Sequence, residues 1–585
     1  MKKLSLISLI MAFAVALSAC STTASTKQDN FKGTKIEKES PADIDGIHIR
    51  DKQDLYEMYE PTEVVTMYLT VMEGNEGENT NHTWSEINTY SAYDYEDMGV
   101  DRYKVEGLLQ VGDENGVIKG ELGYNQVSPN CTIQIRGQTS SKKAQKNYKI
   151  SIKENKGMWR GQQTIALNKH MGDGLRFKNK FAYDMIAGID EMMGLRTTFV
   201  HLYVKDTTAG GSGTFRDYGL YTQVEQLNKT ALQAHGLDRN GHLYKINEFE
   251  FYRYEDIIKL KTDPDYDEAA FEYRIETKGS DDHQKLIDML EDVIDYSIHI
   301  EKVLEEHFDI ENLSYWMAFH LLVGNVDTQS RNDYIYSPLH GKKWYFITWD
   351  NDGALLREEH RINNRNDYAA WEEGVSNYWG SIFFRRCLKS PTYRKALDAA
   401  VEDIYAYMTP ERVNAMAKQY SAVAKPYVYR MPDLQYAPLT RAQYNTIVRS
   451  LPQQIEENYK LYKESYEKPM PFFIATPEKR GKKLYIQWEN SYDFDKEPVT
   501  YTCEVARSIN FSNPVAKFED LIIPEIELDM LPKGQYFVRV TSKNKSGKTQ
   551  YAFDYYVTDI GKNYGVRCFY IDGSGKIVED VNVES

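Results

Sequence analysis

Between Val64 and about Val204, apolar and polar positions alternate in short runs. Val64-Val65-Thr66-Met67-Tyr68-Leu69-Thr70 and Cys131-Thr132-Ile133-Gln134-Ile135 are examples, with Gly, Asn and Asp between the runs. A period of two broken by such residues predicts strands joined by turns. The stretch from Arg176 to Ala187 departs from it: Phe177, Phe181 and Met185 recur at helical spacing and predict one helix packed on a sheet. From Asp281 the period lengthens. Leu286, Ile287, Leu290, Val293 and Ile294 mark one helix, Leu313 to Leu322 a second behind a candidate Asp309 cap, and further helices fill 381 to about 467. A β-rich half followed by a larger helical half predicts two lobes with a ligand cleft between them. After Pro469 and Pro471 the period returns to two, in 484–488, 499–505 and 535–540. These runs predict a further all-β domain over roughly 471–558, followed by a C-terminal extension, 559–585, with a candidate hairpin at Asp572-Gly573.

The first residues are a processing signal rather than part of the fold. Met1-Lys2-Lys3 precedes an uncharged apolar run from Leu4 to Ala19, too short and too early for an internal membrane helix, which ends in Leu17-Ser18-Ala19-Cys20. That ending predicts cleavage after residue 19 and lipidation of Cys20, with a plain secretory cleavage as the alternative. Both imply export, the first to the cell membrane or surface. Residues 20–61 form the expected tether, its first part rich in Ser, Thr, Lys, Asp and Glu without apolar periodicity.

Composition narrows the function classes. A formal net charge of -16 with no compensating basic block argues against a nucleic-acid partner. Once Cys20 is assigned to the anchor, Cys131, Cys387, Cys503 and Cys568 remain, none in a zinc-binding spacing. Cys503 with Cys568 is a conceivable disulfide in an exported chain.

The chemistry concentrates in Gly324-Asn325-Val326-Asp327-Thr328-Gln329-Ser330-Arg331-Asn332-Asp333 and, beyond a short apolar strand, in Lys343-Trp344-Tyr345-Phe346-Ile347-Thr348-Trp349-Asp350-Asn351-Asp352-Gly353. Asp327 and Asn332 stand five positions apart on a loop after a buried helix, and Asp350 follows the second strand of a hairpin. A kinase centre needs such parts: an Asp to accept the proton of a hydroxyl, and an Asn and a later Asp to hold Mg²⁺ through oxygen. Taken singly, each residue is better explained as turn or capping chemistry; three oxygen ligands punctuated by Trp- and Tyr-rich strands are harder to explain that way.

Four segments in order resemble the CotH family of atypical, protein-kinase-like phosphotransferases. They are Arg136-Gly137-Gln138-Thr139-Ser140-Ser141 with Lys146-Asn147-Tyr148-Lys149-Ile150, Phe177-Lys178-Asn179-Lys180-Phe181-Ala182-Tyr183-Asp184, Gly219-Leu220-Tyr221-Thr222-Gln223-Val224-Glu225-Gln226, and the stretch from Gly324 to Gly353. The resemblance spans about 62–467. It implies an α+β, two-lobed, protein-kinase-like domain that uses ATP with Mg²⁺ or Mn²⁺ to phosphorylate Ser/Thr hydroxyls of a protein substrate. It further implies Asp327 as the catalytic residue and Asn332 and Asp350 as metal ligands, with Asp352 either a further ligand or a turn residue.

For the nucleotide-binding lysine, Lys146 shares parity with the inward Tyr148, Ile150 and Ile152, whereas Lys149 shares parity with Ser151 and Lys153, so Lys146 is the expected residue. Asp184 is its candidate partner, unless it faces solvent. Arg136, in a loop of small and hydroxyl-bearing residues, suits phosphate oxygens or a structural ion pair. Glu225, between a strand and a helix, holds the hinge position and is expected near adenine, or is a helix N-terminal carboxylate. The last domain resembles a fibronectin type III-like sandwich. Two other readings remain open here: a degenerate kinase fold serving as an adhesion or binding lipoprotein, and a carbohydrate-active protein using Asp327 and Asp350.

Overall fold

The computed structural model describes residues 48–363, 369–559 and 561–579. The signal segment, Cys20 and most of the tether lie outside the described residues. The chain forms two compact units: residues 49–239 with 407–444, and residues 240–406 with the described residues from 445 onward.

The alternating runs of the first unit become strands β1 (Val64–Met72), β2 (Val105–Asp113), β3 (Gly116–Val117), β4 (Cys131–Arg136), β5 (Asn147–Ile152), β6 (Thr164–Asn168), β7 (Thr197–Asp206) and β8 (Phe215–Glu225). Their order is β1-β7-β8-β6-β5-β4-β2-β3, and a further β1–β2 pairing closes the sheet on itself. Only β1 and β7 run parallel. One face of each strand fills the interior, as Met67, Leu69, Leu109, Ile133, Ile150, Leu167 and Leu202 do. On the outer face Phe181, from the helix Lys178–Ile186, and Phe199 of β7 meet the ring of Tyr420 from the helix Pro410–Val428. A segment that sequence order places among the later helices thus belongs to the β-rich unit.

In the second unit the helical half carries a sheet of its own: β9 (His242–Ile246), β10 (Ile275–Thr277), β11 (Asp333–Ser337) and β12 (Tyr345–Thr348), in the order β10-β9-β11-β12. It packs on the helix Ile310–Val323, whose residues are buried almost all round. The expected cap is present: the Asp309 carboxylate accepts the amides of Glu311 and Asn312, satisfying donors that the first turn leaves open. Among the described residues no helix is long and apolar enough to cross a membrane.

The C-terminal part is a β-sandwich in the same unit. Its strands are β13 (Glu478–Arg480), β14 (Lys483–Gln487), β15 (Val499–Ala506), β16 (Ala516–Leu521), β17 (Glu525–Asp529), β18 (Gly534–Asn544), β19 (Thr549–Tyr551), β20 (Tyr555–Thr558), β21 (Gly561–Tyr564), β22 (Val566–Ile571) and β23 (Ile577–Glu579). The sheets β13-β14-β17 and β16-β15-β18-β22-β23 enclose Ile486, Trp488, Cys503, Val538 and Phe569. Asp572-Gly573 turns between β22 and β23, and β22 pairs with β18, so the last described residues are strands of this sandwich. All four described cysteines are buried, and none of them is in a disulfide. Cys503 stands opposite Val540 and Cys568 opposite Phe537, positions of opposite parity on β18, so the two thiols occupy opposite faces of the sheet and cannot bond.

Candidate functional site

The helix Ile310–Val323 ends at Gly324, whose left-handed backbone (φ 62°) turns the chain into the polar loop. Asn325 follows, almost fully buried at 2% exposure. Asp327 lies exposed in the short 3-10 turn Val326–Thr328, with φ -92° and ψ 20°, in the sparsely allowed bridge region where active-site residues often sit. Beyond it, β11 and β12 pair antiparallel with Asp333 opposite Thr348. That register places Asn332, before β11, and Asp350, after β12, at the same end of the hairpin. The turn that carries Asp350 and Asp352 returns to the Asp327 loop. Leu355 donates its amide to the Val323 carbonyl at 2.8 Å, and a Cβ added to Gly353 would lie 2.6 Å from Asn325 Oδ1. Any larger residue there would have to displace the Asn325 side chain.

Asn332 (φ 61°) and Asp350 (φ 57°) both adopt the left-handed region. Asn and Asp tolerate it best among side-chain-bearing residues, but it still costs about 1 kcal/mol each, and such strain gathers at functional sites. Behind them, burial pushes the Asp333 carboxyl well above the usual carboxylate range, against a hydrogen bond from Trp316 Nε1 at 2.8 Å. Burial holds His320 down at about 3. The half-buried Glu372 is raised to about 7, first by burial and then by the charge of Asp327. Glu248 is raised as well, chiefly by burial, with Asp327 contributing. Asn325 has no hydrogen-bond partner for either polar atom and lines a small pocket with His320, Arg357, Glu372, Asn377 and Asn458. Asn332, Asp350 and Asp352 offer amide and carboxylate oxygens, the donor chemistry that Mg²⁺ or Mn²⁺ takes.

In the first unit the residues expected at the nucleotide fall on two faces of the sheet. Burial alternates along β5, and Lys146, just before it, is buried with Tyr148 and Ile150 while Lys149 is half-exposed. The Lys146 ammonium donates to the Ser141 carbonyl and is lowered by burial. Arg136, opposite Asn147 in the β4–β5 register, lies on the same face as Lys149 and donates to Asn168 Oδ1. Asp184 does not pair with Lys146. It accepts from Lys180 Nζ at 2.8 Å, from Thr197 Oγ1 at 2.7 Å and from the Tyr420 hydroxyl, so it neither faces solvent freely nor reaches β5.

Glu225 is fully buried and its carboxylate is committed. Arg196 donates to one oxygen, and His235 Nε2 donates to the other at 2.9 Å while its Nδ1 meets Asp51. Burial opposes the charge on Glu225, but His235 and Arg196 hold its carboxyl at about 2. Burial likewise opposes the charge on His235, which Asp51 and Glu225 raise to about 10. A buried lysine escaped the sequence reading: Lys169, at the end of β6, is lowered to about 8 by burial and bound to Asp433 Oδ1 at 2.6 Å. Asn325 and Glu372 escaped it too. The signal for Asn325 is its place between a helix-ending glycine and Asp327; Glu372 lies in a stretch without periodicity.

The model of the family described as CotH kinase protein matches residues 133–462, more than half of the chain. No curated protein matches. Among solved structures, the proinflammatory kinase CtkA of Helicobacter pylori aligns at 10% identity over 55% of this chain and 94% of its own, with a TM-score of 0.27. The twitchin kinase region of C. elegans aligns at 18% identity over 17% of this chain, with a TM-score of 0.12, and the match spans 20% of that region.

Proposed function

Because this chain belongs to the CotH kinase protein family, we propose that it is an exported kinase transferring the γ-phosphate of ATP to Ser/Thr hydroxyls of a protein substrate. What supports the reading is an exposed Asp327 in the loop that leads into β11, together with Asn332 and Asp350 at one end of the β11–β12 hairpin, both of the latter in left-handed backbone.

Asp327 accepts the proton of the acceptor hydroxyl as that oxygen bonds to the γ-phosphorus and the bond to the departing ADP oxygen breaks. Asn332 and Asp350, with Asp352, would hold the divalent metal ion, which when bound neutralises charge on the phosphate oxygens. Arg136 and a lysine of the β5 edge would meet the phosphates. Lys146 is the residue expected from sequence parity, and Lys149 is the one on the face of Arg136. With its carboxylate committed and its amide donating to the Arg196 carbonyl at 2.9 Å, Glu225 would meet the adenine through its backbone carbonyl. Lipidation at Cys20 would keep the enzyme at the membrane surface, where its acceptor would be met.

Incubating the chain from Ser21 onward with γ-labelled ATP, Mg²⁺ or Mn²⁺ and generic Ser/Thr acceptors tests the reading. Label should enter the acceptor with wild type and not with Asp327→Asn. Incorporation by neither would leave a non-catalytic binding fold; equal incorporation by both would remove Asp327 from the mechanism.

A further inference from the structure

The family match ends at residue 462, before the sandwich begins, yet the sandwich adjoins the Asp327 loop through one segment of the same unit. The second half of the loop is tied to β9 and the residues after it: the Phe249 amide donates to the Ser330 carbonyl at 2.8 Å, the Asn332 amide to the Ile246 carbonyl at 3.1 Å, and Arg331 pairs with Glu248 at 3.0 Å. After Val326 its residues are polar up to Asp333, and Asp327 itself is exposed. The first half, Val326–Gln329, is held by one bond of its own, from Thr328 Oγ1 to the Asn325 carbonyl at 3.2 Å, and by two contacts from residues 369–381: Asn377 Nδ2 donates to the Val326 carbonyl at 3.2 Å, and the buried hydroxyls of Thr328 and Tyr378 lie 2.9 Å apart.

Asn377 and Tyr378 belong to residues 369–381, a stretch of short 3-10 turns without a long helix or strand to stiffen it. Two buried tryptophans anchor that stretch on sandwich aromatics. Trp371 meets Phe553 edge-on with ring centroids 5.2 Å apart, and Trp379 stacks on Tyr492 at the same separation. At Gly380 the two sides almost touch: a Cβ added there would lie 3.6 Å from Gln329 Oε1 of the loop and 3.7 Å from Phe553 Cζ of the sandwich. Aromatic contacts of this kind are short-ranged and orientation-dependent, so they transmit position rather than charge.

We propose that the sandwich is part of the catalytic apparatus, with Phe553 and Trp371 as positioning residues that hold the Val326–Gln329 backbone, and with it Asp327, through residues 369–381. The proposal rests on the reading of Asp327 as the proton acceptor, but one of its tests does not.

In the full chain, Phe553→Ala should speed amide exchange across 325–329 about tenfold while leaving 534–544, the central sandwich strand, unchanged. Turnover should fall about tenfold with nucleotide affinity unchanged, because a loop misplaced by a fraction of an ångström loses reactive geometry and not binding. Phe553→Leu should recover most of both losses. Should Phe553→Ala loosen the sandwich itself, Tyr564→Ala, which removes a second ring packed 6.0 Å from Trp371, replaces it and should give the same pattern more weakly. Loop exchange identical to wild type in a variant with an intact sandwich would overturn the proposal, as would equal losses of turnover and nucleotide affinity. A wild-type chain that transfers no phosphate would refute the kinase reading alone, and the exchange comparison would still decide this one.

Discussion

Two clusters of carboxylates in this molecule are built to opposite designs. Around Glu225, Asp51 and Glu225 are matched by His235 and Arg196, all are buried, and each hydrogen bond closes within the first unit. Around Asp327, oxygen-bearing side chains stand at one end of a hairpin, two in left-handed backbone, with Asp327 exposed and Asn325 buried without a partner. Satisfied charges fix a structure, because removing one member strands the others in a medium that cannot solvate them. A buried Asn325 amide without a partner, beside strained backbone at Asn332 and Asp350, makes little sense as scaffolding, and the fold supports both at a cost. Perturbed carboxylates by themselves therefore do not locate the chemistry here.

That contrast can be broken by exchange of roles. Asp327→Asn should lower phosphate transfer about a thousand-fold while leaving the thermal midpoint unmoved, since general-base contributions run to that size. A shifted midpoint would make Asp327 a structural residue like Glu225. His235→Gln should do the reverse, destabilising the first unit by about 3 kcal/mol in denaturant titration through the buried carboxylates it leaves uncompensated. An unchanged midpoint there would mean that Arg196 suffices alone.

The pH dependence of stability sharpens the same point. Glu225, held at about 2 against an ordinary 4.5, contributes in full above pH 4.5 and loses its contribution as pH falls toward 2. His235, raised to about 10 from an ordinary 6.5, contributes in full below pH 6.5 and loses its contribution as pH rises through 10. The first unit should thus be most stable between these limits, and a flat stability profile from pH 5 to 10 would contradict a charged His235. The smallest effect is expected at Asn332→Gly. Relief of the left-handed strain should raise stability by about 0.5 kcal/mol, while loss of the amide oxygen weakens metal-dependent nucleotide binding.

Much of this layout is legible in the sequence because periodicity reports burial. The strands around Val64, Cys131 and Val499, the helix after Phe177 and the Asp309 cap all follow from local patterns that the fold obeys. The Asp327 loop and the Asp350 turn are legible as well, since Gly324 and the β12 strand punctuate them. Long-range pairing is not. No local pattern shows that residues 410–428 cover the β-rich unit, that Asp184 answers Tyr420, or that Glu225 is neutralised by a histidine ten residues on. Strand parity correctly turned Lys146 inward, but inward proved to be the packed interior, where its ammonium serves the Ser141 carbonyl. Parity gives the face of a strand and not what that face meets.

The most direct measurement is a calorimetric titration of ATP into wild type, Asp350→Asn and Asp327→Asn, each with and without Mg²⁺. Wild type and Asp327→Asn should bind nucleotide equally and only with metal, whereas Asp350→Asn should lose the metal-dependent component. Metal-dependent binding that survives in Asp350→Asn, or nucleotide binding indifferent to metal in all three, would contradict the assignment of this hairpin end as the phosphotransfer centre.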